Sequence, residues 1–463
     1  MIAEAVARVA GKLSRLAGAG AGSSLPGVIL ERFAPNFVAR RASLLPDGCM
    51  VVSGTNGKTT TASMIRAILA ESGVTVIGNT TGANLYRGVA TSLLEAPRSA
   101  RMAVFEVDEG ALPGLVPMLR PRVLVLTNVF RDQLDRFGEP ERVASLLRRA
   151  ADLLPSDAKV VANADDPHLW HAVADLRPIG YGVMVPTRDP AASPKPGFAG
   201  RSARATTEGE PEACPSCGSQ LTFSSRTLAN LGRARCDHCG WHSAQPDYEA
   251  RIESGAGLDS LAFEIRGTQV KLPMGGIHNA YNAVAAIAAS GAVGVPLHAA
   301  VAALERFEPR FGRSEGLQLD GKPVWLALIK NPAGAGAVIQ EVASDPRVGA
   351  AVISISDQTA DGRDISWIWD ADFERLVELG IPLVPSGRRA YDTAVRLKYA
   401  GAEPESPHPD PMTAIRTAQA RCRKDPCVVA VLATYTAMLD VRRSFARTRA
   451  GRVLDSPRAG VGA

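Results

Sequence analysis

The stretch that most constrains this chain is Val51-Val52-Ser53-Gly54-Thr55-Asn56-Gly57-Lys58-Thr59-Thr60-Thr61. An apolar strand end runs into a turn bounded by two glycines, then into the helical pattern Ala62-Ser63-Met64-Ile65-Arg66-Ala67-Ile68-Leu69. Two glycines let the backbone turn tightly so that successive N–H groups face one anion, and the following helix start adds its positive dipole end. Lys58 brings a mobile charge for terminal phosphates, and Thr59 a hydroxyl that completes the shell of a bridging Mg²⁺. Gly-x-x-Gly alone would fit an ordinary strand-to-helix turn; the attached Lys-Thr-Thr makes it a phosphate cradle. Gly54, Thr55, Asn56, Gly57, Lys58, Thr59 and Thr60 are therefore the candidate nucleotide contacts. The common Gly-x-x-x-x-Gly-Lys-[Ser/Thr] spacing would need a glycine at position 52, which is Val52, so this is a compact form of the loop.

The loop sits early in a chain of 463 residues, long enough for two or three domains. A hydrophobic fraction of 46% with 21% charged is ordinary for a soluble globular protein. The net charge of +5 is a weak basic bias, without the aromatic and basic stripes expected of a nucleic-acid binder. No run of about 18 apolar residues occurs, so no spanning helix is expected. Ile2 to Leu16 is apolar at helical spacing, but Glu4, Arg8, Lys12 and Arg15 interrupt it, unlike the block layout of a signal peptide. It reads as a docked surface helix, with a membrane-surface helix as the lesser reading.

From Leu45 to about Ala162, β-branched runs (Met50 to Ser53, Val74 to Ile77, Ala103 to Val107, Val123 to Thr127, Lys159 to Asn163) alternate with amphipathic stretches. Such alternation builds a parallel sheet covered by helices on both faces. Ligands of such sheets sit at the carboxyl ends of the strands, where Gly54, Glu106 and Asn128 fall. Glu106 after an apolar strand fits a hard-cation ligand, against a merely solvated carboxylate. Asn163-Ala164-Asp165-Asp166-Pro167 fits either a turn toward the nucleotide or a helix start.

Between Pro186 and Ala213 the chain turns Pro-, Gly- and Ser-rich and reads as a flexible connection. It leads into Cys214-Pro215-Ser216-Cys217-Gly218 and Cys236-Asp237-His238-Cys239-Gly240. Two Cys-x-x-Cys knuckles, each followed by glycine, supply four thiolates and the tight turns that aim them, as a structural zinc site requires. Two disulfides or a redox pair are the competing readings; the missing secretory signal disfavours the first and the paired knuckles the second. Cys49, Cys422 and Cys427 lack such spacing and read as reduced, buried or incidental thiols.

Strands near Tyr248 to Ser254 and Leu261 to Leu272 precede Gly275-Gly276-Ile277-His278-Asn279-Ala280-Tyr281-Asn282, which opens an alanine-rich helix. Capping of that helix is one reading of Asn279. From about Gln318 a second alternating unit begins, with strands at Trp325 to Ile329, Ala350 to Ile355, Pro382 to Pro385 and Cys427 to Leu432; it reads as a smaller α/β domain.

The compact loop resembles that of the Mur ligases and folylpolyglutamate synthetases, ATP-dependent enzymes that join an amine to a carboxylate. The resemblance continues at Glu106, at Thr127-Asn128-Val129-Phe130-Arg131-Asp132-Gln133 and at Gly276 to Asn282. It implies a Mur ligase-like central parallel-sheet ATPase domain (46–315), with the four-cysteine zinc ribbon inserted at about 205–245. An N-terminal helical segment (1–45) would pack on it, and a C-terminal α/β domain (316–463) would follow. By the resemblance, Asn279 and Asn282 lie on the adenine side, Arg313 faces the phosphates, and Thr59 and Glu106 hold Mg²⁺. Three features depart from the amino-acid-adding members: Gln133 replaces a metal-binding histidine, which puts a second Mg²⁺ in doubt; Ala327 and Lys330 replace an acidic residue and a histidine; and the ribbon is extra.

With Asp361-Gly362-Arg363-Asp364-Ile365-Ser366-Trp367-Ile368-Trp369-Asp370, these departures resemble the ligase-like subunits of lipid II isoglutaminyl synthases. That resemblance implies a heterodimer with a GatD-like glutaminase, in the cytoplasm at the inner membrane face. There ATP, Mg²⁺ and ammonia from glutamine would amidate the D-glutamate α-carboxylate of the lipid II stem peptide. Lys58 and Glu106 would serve activation, and Asp364, with Asp361 as runner-up, would orient the partner's catalytic histidine. On spacing alone Asp364 fits a turn or helix cap equally well. Trp367 and Trp369 are core or docking surface. A free-standing amino-acid ligase and a nucleotide-binding scaffold without turnover remain as alternatives.

Overall fold

The computed structural model describes residues 2–16, 25–79, 83–131, 140–185, 212–253, 257–308, 314–448 and 451–453. Gln133, Arg313 and most of the connection at 186–213 lie outside these residues.

Strands β1 (Gly48–Ser53), β2 (Val76–Ile77), β3 (Met102–Glu106), β4 (Val123–Leu126), β5 (Lys159–Asn163) and β6 (Ile179–Met184) alternate with helices. After a separate hairpin, β7 (Thr222–Leu228) and β8 (Leu231–Arg235), the chain adds β9 (Tyr248–Ile252), β10 (Leu261–Ile265) and β11 (Thr268–Leu272). The central sheet has the order β11-β10-β9-β6-β5-β4-β1-β3-β2. It is parallel from β2 to β9 and closes with the antiparallel hairpin β10–β11. Because side chains alternate along a strand, Met50 and Val52 face a core shared with helices Lys58–Glu71 and Ile277–Ala292, while Val51 faces the opposite core. Both faces are buried, which is why these strands read as continuous apolar runs.

β6 escaped the sequence pattern because two glycines interrupt it, and the packing explains them. A Cβ on Gly180 would press on the Trp170 ring at 3.2 Å, and one on Gly182 would lie 2.8 Å from the Asp165 carboxylate.

The second sheet holds β12 (Glu315–Leu319), β13 (Lys322–Leu328), β14 (Val348–Ser354), β15 (Leu383–Ser386), β16 (Val428–Ala433) and β17 (Gly451–Val453), in the order β15-β14-β16-β13-β12-β17. Its four expected strands form the parallel run β15-β14-β16-β13, from one edge inward; β12 and β17 extend it antiparallel on the other side.

One cysteine expectation fails. Cys422 and Cys427 are joined in a disulfide rather than standing as separate thiols. Helix Pro411–Arg421 ends beside the start of β16, which brings the two Cα atoms to 6.5 Å, within bridging range. Cys49 is a buried thiol, pushed up to about 12 by burial.

Candidate active site

β1 and β3 pair in register with Val52 opposite Glu106, so the phosphate loop and the candidate cation ligand leave the sheet side by side. Gly54 (φ 122°) and Gly57 (φ 85°) hold backbone angles that other residues rarely adopt. Their missing side chains are also needed: a Cβ on Gly54 would lie 2.3 Å from Thr127 Oγ1, and one on Gly57 2.2 Å from Asn282 Oδ1. Helix Lys58–Glu71 starts on Gly57, which has no side chain to cap it. Its dipole therefore faces the loop.

The loop is held from three sides. Asn128, at the end of β4, accepts from Asn56 N–H at 2.8 Å, donates to the Asn56 carbonyl at 3.1 Å, and accepts from Thr55 N–H on its own carbonyl at 2.9 Å. From the second domain, the amides of Asn331 and Asn56 exchange two hydrogen bonds at 3.1 and 3.2 Å. Lys330 donates to the Thr55 carbonyl at 3.2 Å. Behind the loop, Thr61 donates to Asn282, whose amide donates to Asn279, whose amide donates to the Gly275 carbonyl. Asn279 and Asn282 are buried beneath the loop, and the cap position of their helix belongs to Gly276, not Asn279.

Lys58 donates to the Gly54 and Thr55 carbonyls and pairs with Glu109 at 2.8 Å, both side chains nearly buried. Glu109 was not singled out by sequence reasoning; its place three residues beyond Glu106 on the same strand-end loop was the available signal. Glu106 is buried, its backbone clasped by the Asn79 amide at 2.6 and 2.9 Å.

The Asp165-Asp166 segment turns into the scaffold. Asp166 caps helix Pro167–Val173 through Leu169 N–H at 3.0 Å and also accepts from Val129 N–H at 2.6 Å. Burial pushes its carboxyl up to about 6, against the pull of those two N–H groups. Asp165 accepts from Val183 N–H and Tyr281 Oη and pairs with Arg233 of β8 at 3.2 Å. Arg233 also binds Glu249 at 2.7 Å, so a buried ion network bolts the ribbon hairpin to the central sheet.

Within the ribbon, Cys214, Cys217, Cys236 and Cys239 place all four sulfurs within 4.8 Å of one another, with two contacts at 3.7 and 3.5 Å. A tetrahedral zinc with bonds of about 2.3 Å has sulfur–sulfur edges of about 3.8 Å. The four thiols therefore fit that ion, and Gly218 and Gly240 N–H groups close the knuckle turns on the Cys214 and Cys236 carbonyls.

In the second domain the two candidate aspartates differ. Asp361 accepts from both the N–H and the hydroxyl of Thr436. Asp364 is exposed and accepts a turn bond from Ser366 N–H at 2.8 Å, with the Ser366 hydroxyl beside it, just before the short helix Ser366–Trp369. The Ser366 N–H first, and its hydroxyl next, draw the carboxyl below the usual range. Trp369 is half exposed and stacks edge-on against Tyr399, their centroids 5.5 Å apart, while Ile368 between the two tryptophans is buried.

A phosphate loop at the carboxyl end of a parallel sheet, facing a second α/β domain that reaches into it, defines the Mur class of ATP-dependent ligases. Residues 52–190 match the family described as Mur ligase middle domain, and residues 328–438 match MurT ligase C-terminal. Among solved structures, similar folds include a pseudomurein peptide ligase type C from Methanothermus fervidus (TM-score 0.64, 21% identity, 86% of this chain and 78% of that one). Another is MurF from Acinetobacter baumannii (TM-score 0.64, 18% identity, 90% and 81%). Among curated proteins, the chain is 34% identical over 94% of both lengths to the Streptococcus pneumoniae lipid II isoglutaminyl synthase (glutamine-hydrolyzing) subunit MurT. It is 32% identical to the Staphylococcus aureus protein of the same name, over 86% of this chain and 87% of that one. The chain belongs to the MurT family.

Proposed function

We propose that this protein is the ligase subunit of a lipid II isoglutaminyl synthase: it spends ATP to activate the α-carboxylate of D-glutamate in the lipid II stem peptide, which ammonia then converts to the amide. The observation that carries the reading is a phosphate loop held by Asn128 from the central sheet and by Asn331 from the second domain, in a chain whose near-full-length relatives are named as this subunit.

A carboxylate is a poor electrophile until one oxygen becomes a phosphate leaving group, so phosphoryl transfer must precede attack by nitrogen. Lys58 is the charge for the transferring group, released from Glu109 as phosphate enters. Glu109 then keeps a carboxylate beside the site, able to hold the lysine out of solvent between turnovers. Thr59 and Glu106 are the residues to hold Mg²⁺, which would neutralise phosphate charge when bound. Asn279 and Asn282, directly under the loop, and Arg313 complete the nucleotide set. The four ribbon cysteines hold zinc as a structural ion, since all four positions are filled by the protein.

Nitrogen comes from a glutaminase partner of the GatD type. Asp364 supplies a carboxylate to that partner's histidine: it is exposed, ionised and held in one direction by Ser366, whereas Asp361 is engaged with Thr436. The enzyme acts at the cytoplasmic face of the membrane, where ATP and the lipid-linked peptide meet; no helix among the described residues is long and apolar enough to cross a bilayer. The test is reconstitution with a candidate glutaminase and mass spectrometry of lipid II. One mass unit less on the muropeptide, dependent on ATP and glutamine, is expected; an unchanged acid overturns the reading.

A further inference from the structure

The helix Ile2–Leu16 is docked inside out. Ala7 is fully buried and Gly11 packs on Pro26, so the helix meets the protein through its small residues. Ile2, Val6, Val9 and Leu13 stand 84, 52, 57 and 61% exposed. At about 100° per residue these four occupy one narrow stripe, on the side opposite Ala7 and Gly11. Exposed Lys12 borders the stripe, exposed Arg8 lies farther round on the same side, and Glu4 is paired with Arg40. A globular helix of ordinary design would bury the four aliphatics and expose the alanine and glycine.

The charge distribution points the same way. Residues 1–45 contain six basic residues (Arg8, Lys12, Arg15, Arg32, Arg40, Arg41) against two acidic (Glu4, Glu31). That surplus of four is most of the whole chain's +5. The next helix, Leu25–Phe33, adds exposed Phe33.

We propose that the Ile2–Leu16 helix is an interfacial anchor that lies on an anionic bilayer, its aliphatic stripe at the acyl boundary and Arg8 and Lys12 at the headgroups. Such a helix needs an apolar face and a basic side, and both are present. A second copy of the chain is the poorer occupant, because it would set Arg8 and Lys12 against their own duplicates. The proposal rests on the lipid-linked substrate of the preceding section: an anchor holds the catalytic loop near a bilayer-embedded molecule and raises its effective concentration.

The test is flotation of the full chain with vesicles of phosphatidylglycerol and phosphatidylcholine, without lipid II, at about 0.1 M salt. Wild type is expected to float with these vesicles and not with pure phosphatidylcholine. Val6→Glu/Leu13→Glu should lose about a hundredfold in affinity, and Arg8→Glu/Lys12→Glu about thirtyfold, with binding of a fluorescent ATP analogue unchanged. Failure of wild type to float, or equal flotation by both variants, overturns the proposal. So does a wild-type dimer that Val6→Glu/Leu13→Glu converts to monomer while flotation persists. Amidation of detergent-solubilised lipid II separates the two readings: flotation without amidation sinks the function, and amidation without flotation sinks the anchor.

Discussion

The phosphate loop and the 357–370 loop both follow strands of parallel sheets, yet they are finished to different degrees. At the first, Asn56, Asn128, Asn331, Lys58 and Glu109 find partners within the chain, and all but the loop residues are nearly or fully buried. At the second, Asp357 pairs with Arg388 and Arg389 and Asp361 with Thr436, but Asp364 and Trp369 face outward. A site whose polar groups are satisfied internally is built to act alone; an outward-facing carboxylate and indole suit the proposed docking of a partner. On the proposed reading, phosphoryl chemistry belongs to this chain and the release of nitrogen to a docked neighbour.

The largest way to break that division is Lys58→Ala. Amidation should fall about 10⁴-fold with either glutamine or free ammonia as nitrogen source, since activation precedes both. Product formation by the reconstituted pair that survives this change would make the chain a scaffold. Asp364→Ala should lower glutamine-dependent amidation about 10³-fold and leave the ammonia-dependent rate near wild type. An equal loss with both nitrogen sources would place Asp364 outside the partner's triad. Asp361→Ala sharpens the contrast: it removes two bonds to Thr436, so about 1–2 kcal/mol of stability should go, read by denaturant unfolding, with the nitrogen-source ratio unchanged.

The ribbon makes a third, smaller test. About one zinc per chain is expected by elemental analysis, lost in Cys236→Ser. Because Arg233 of the same module ties Asp165 and Glu249 to the central sheet, the variant should also melt several degrees lower. A folded, metal-free wild type would remove the zinc assignment.

What the sequence disclosed follows from how local each feature is. The phosphate loop and the cysteine knuckles are written in consecutive residues, since tight turns dictate glycine and the ligand must have lysine or thiolate at fixed spacing. The Asn56–Asn331 exchange joins residues 275 apart and depends on how the two domains meet, which no periodicity reveals. Glu109 is adjacent in sequence to everything important, but its pairing with Lys58 is set by the path of the loop after β3. β6 was masked by glycines that serve its neighbours. In the N-terminal helix the spacing discloses an apolar stripe, and only packing shows that the stripe faces away from the protein.

The smallest effect tests the joint between the two regions. Glu341, on helix Pro332–Ser344 of the second domain, is 3% exposed and backs onto Gly275 and Gly276 of the central domain. Burial pushes its carboxyl well above the usual range, the charge of Asp259 adds to this, the Ser314 hydroxyl pulls the other way, and Asp345 raises it further. Below the unfolded-state carboxyl value of about 4.3, both states hold the proton and the group adds no pH dependence. Above it the unfolded chain releases the proton while the folded protein keeps it, so folding weakens as pH rises, until the folded value is passed and the cost is complete. Glu341→Gln keeps the shape without the proton equilibrium. It should match wild type near pH 4 and melt a few degrees higher at pH 8; a variant less stable than wild type at pH 8 would mean that the carboxylate is ionised in the joint and holds the domains together through its charge.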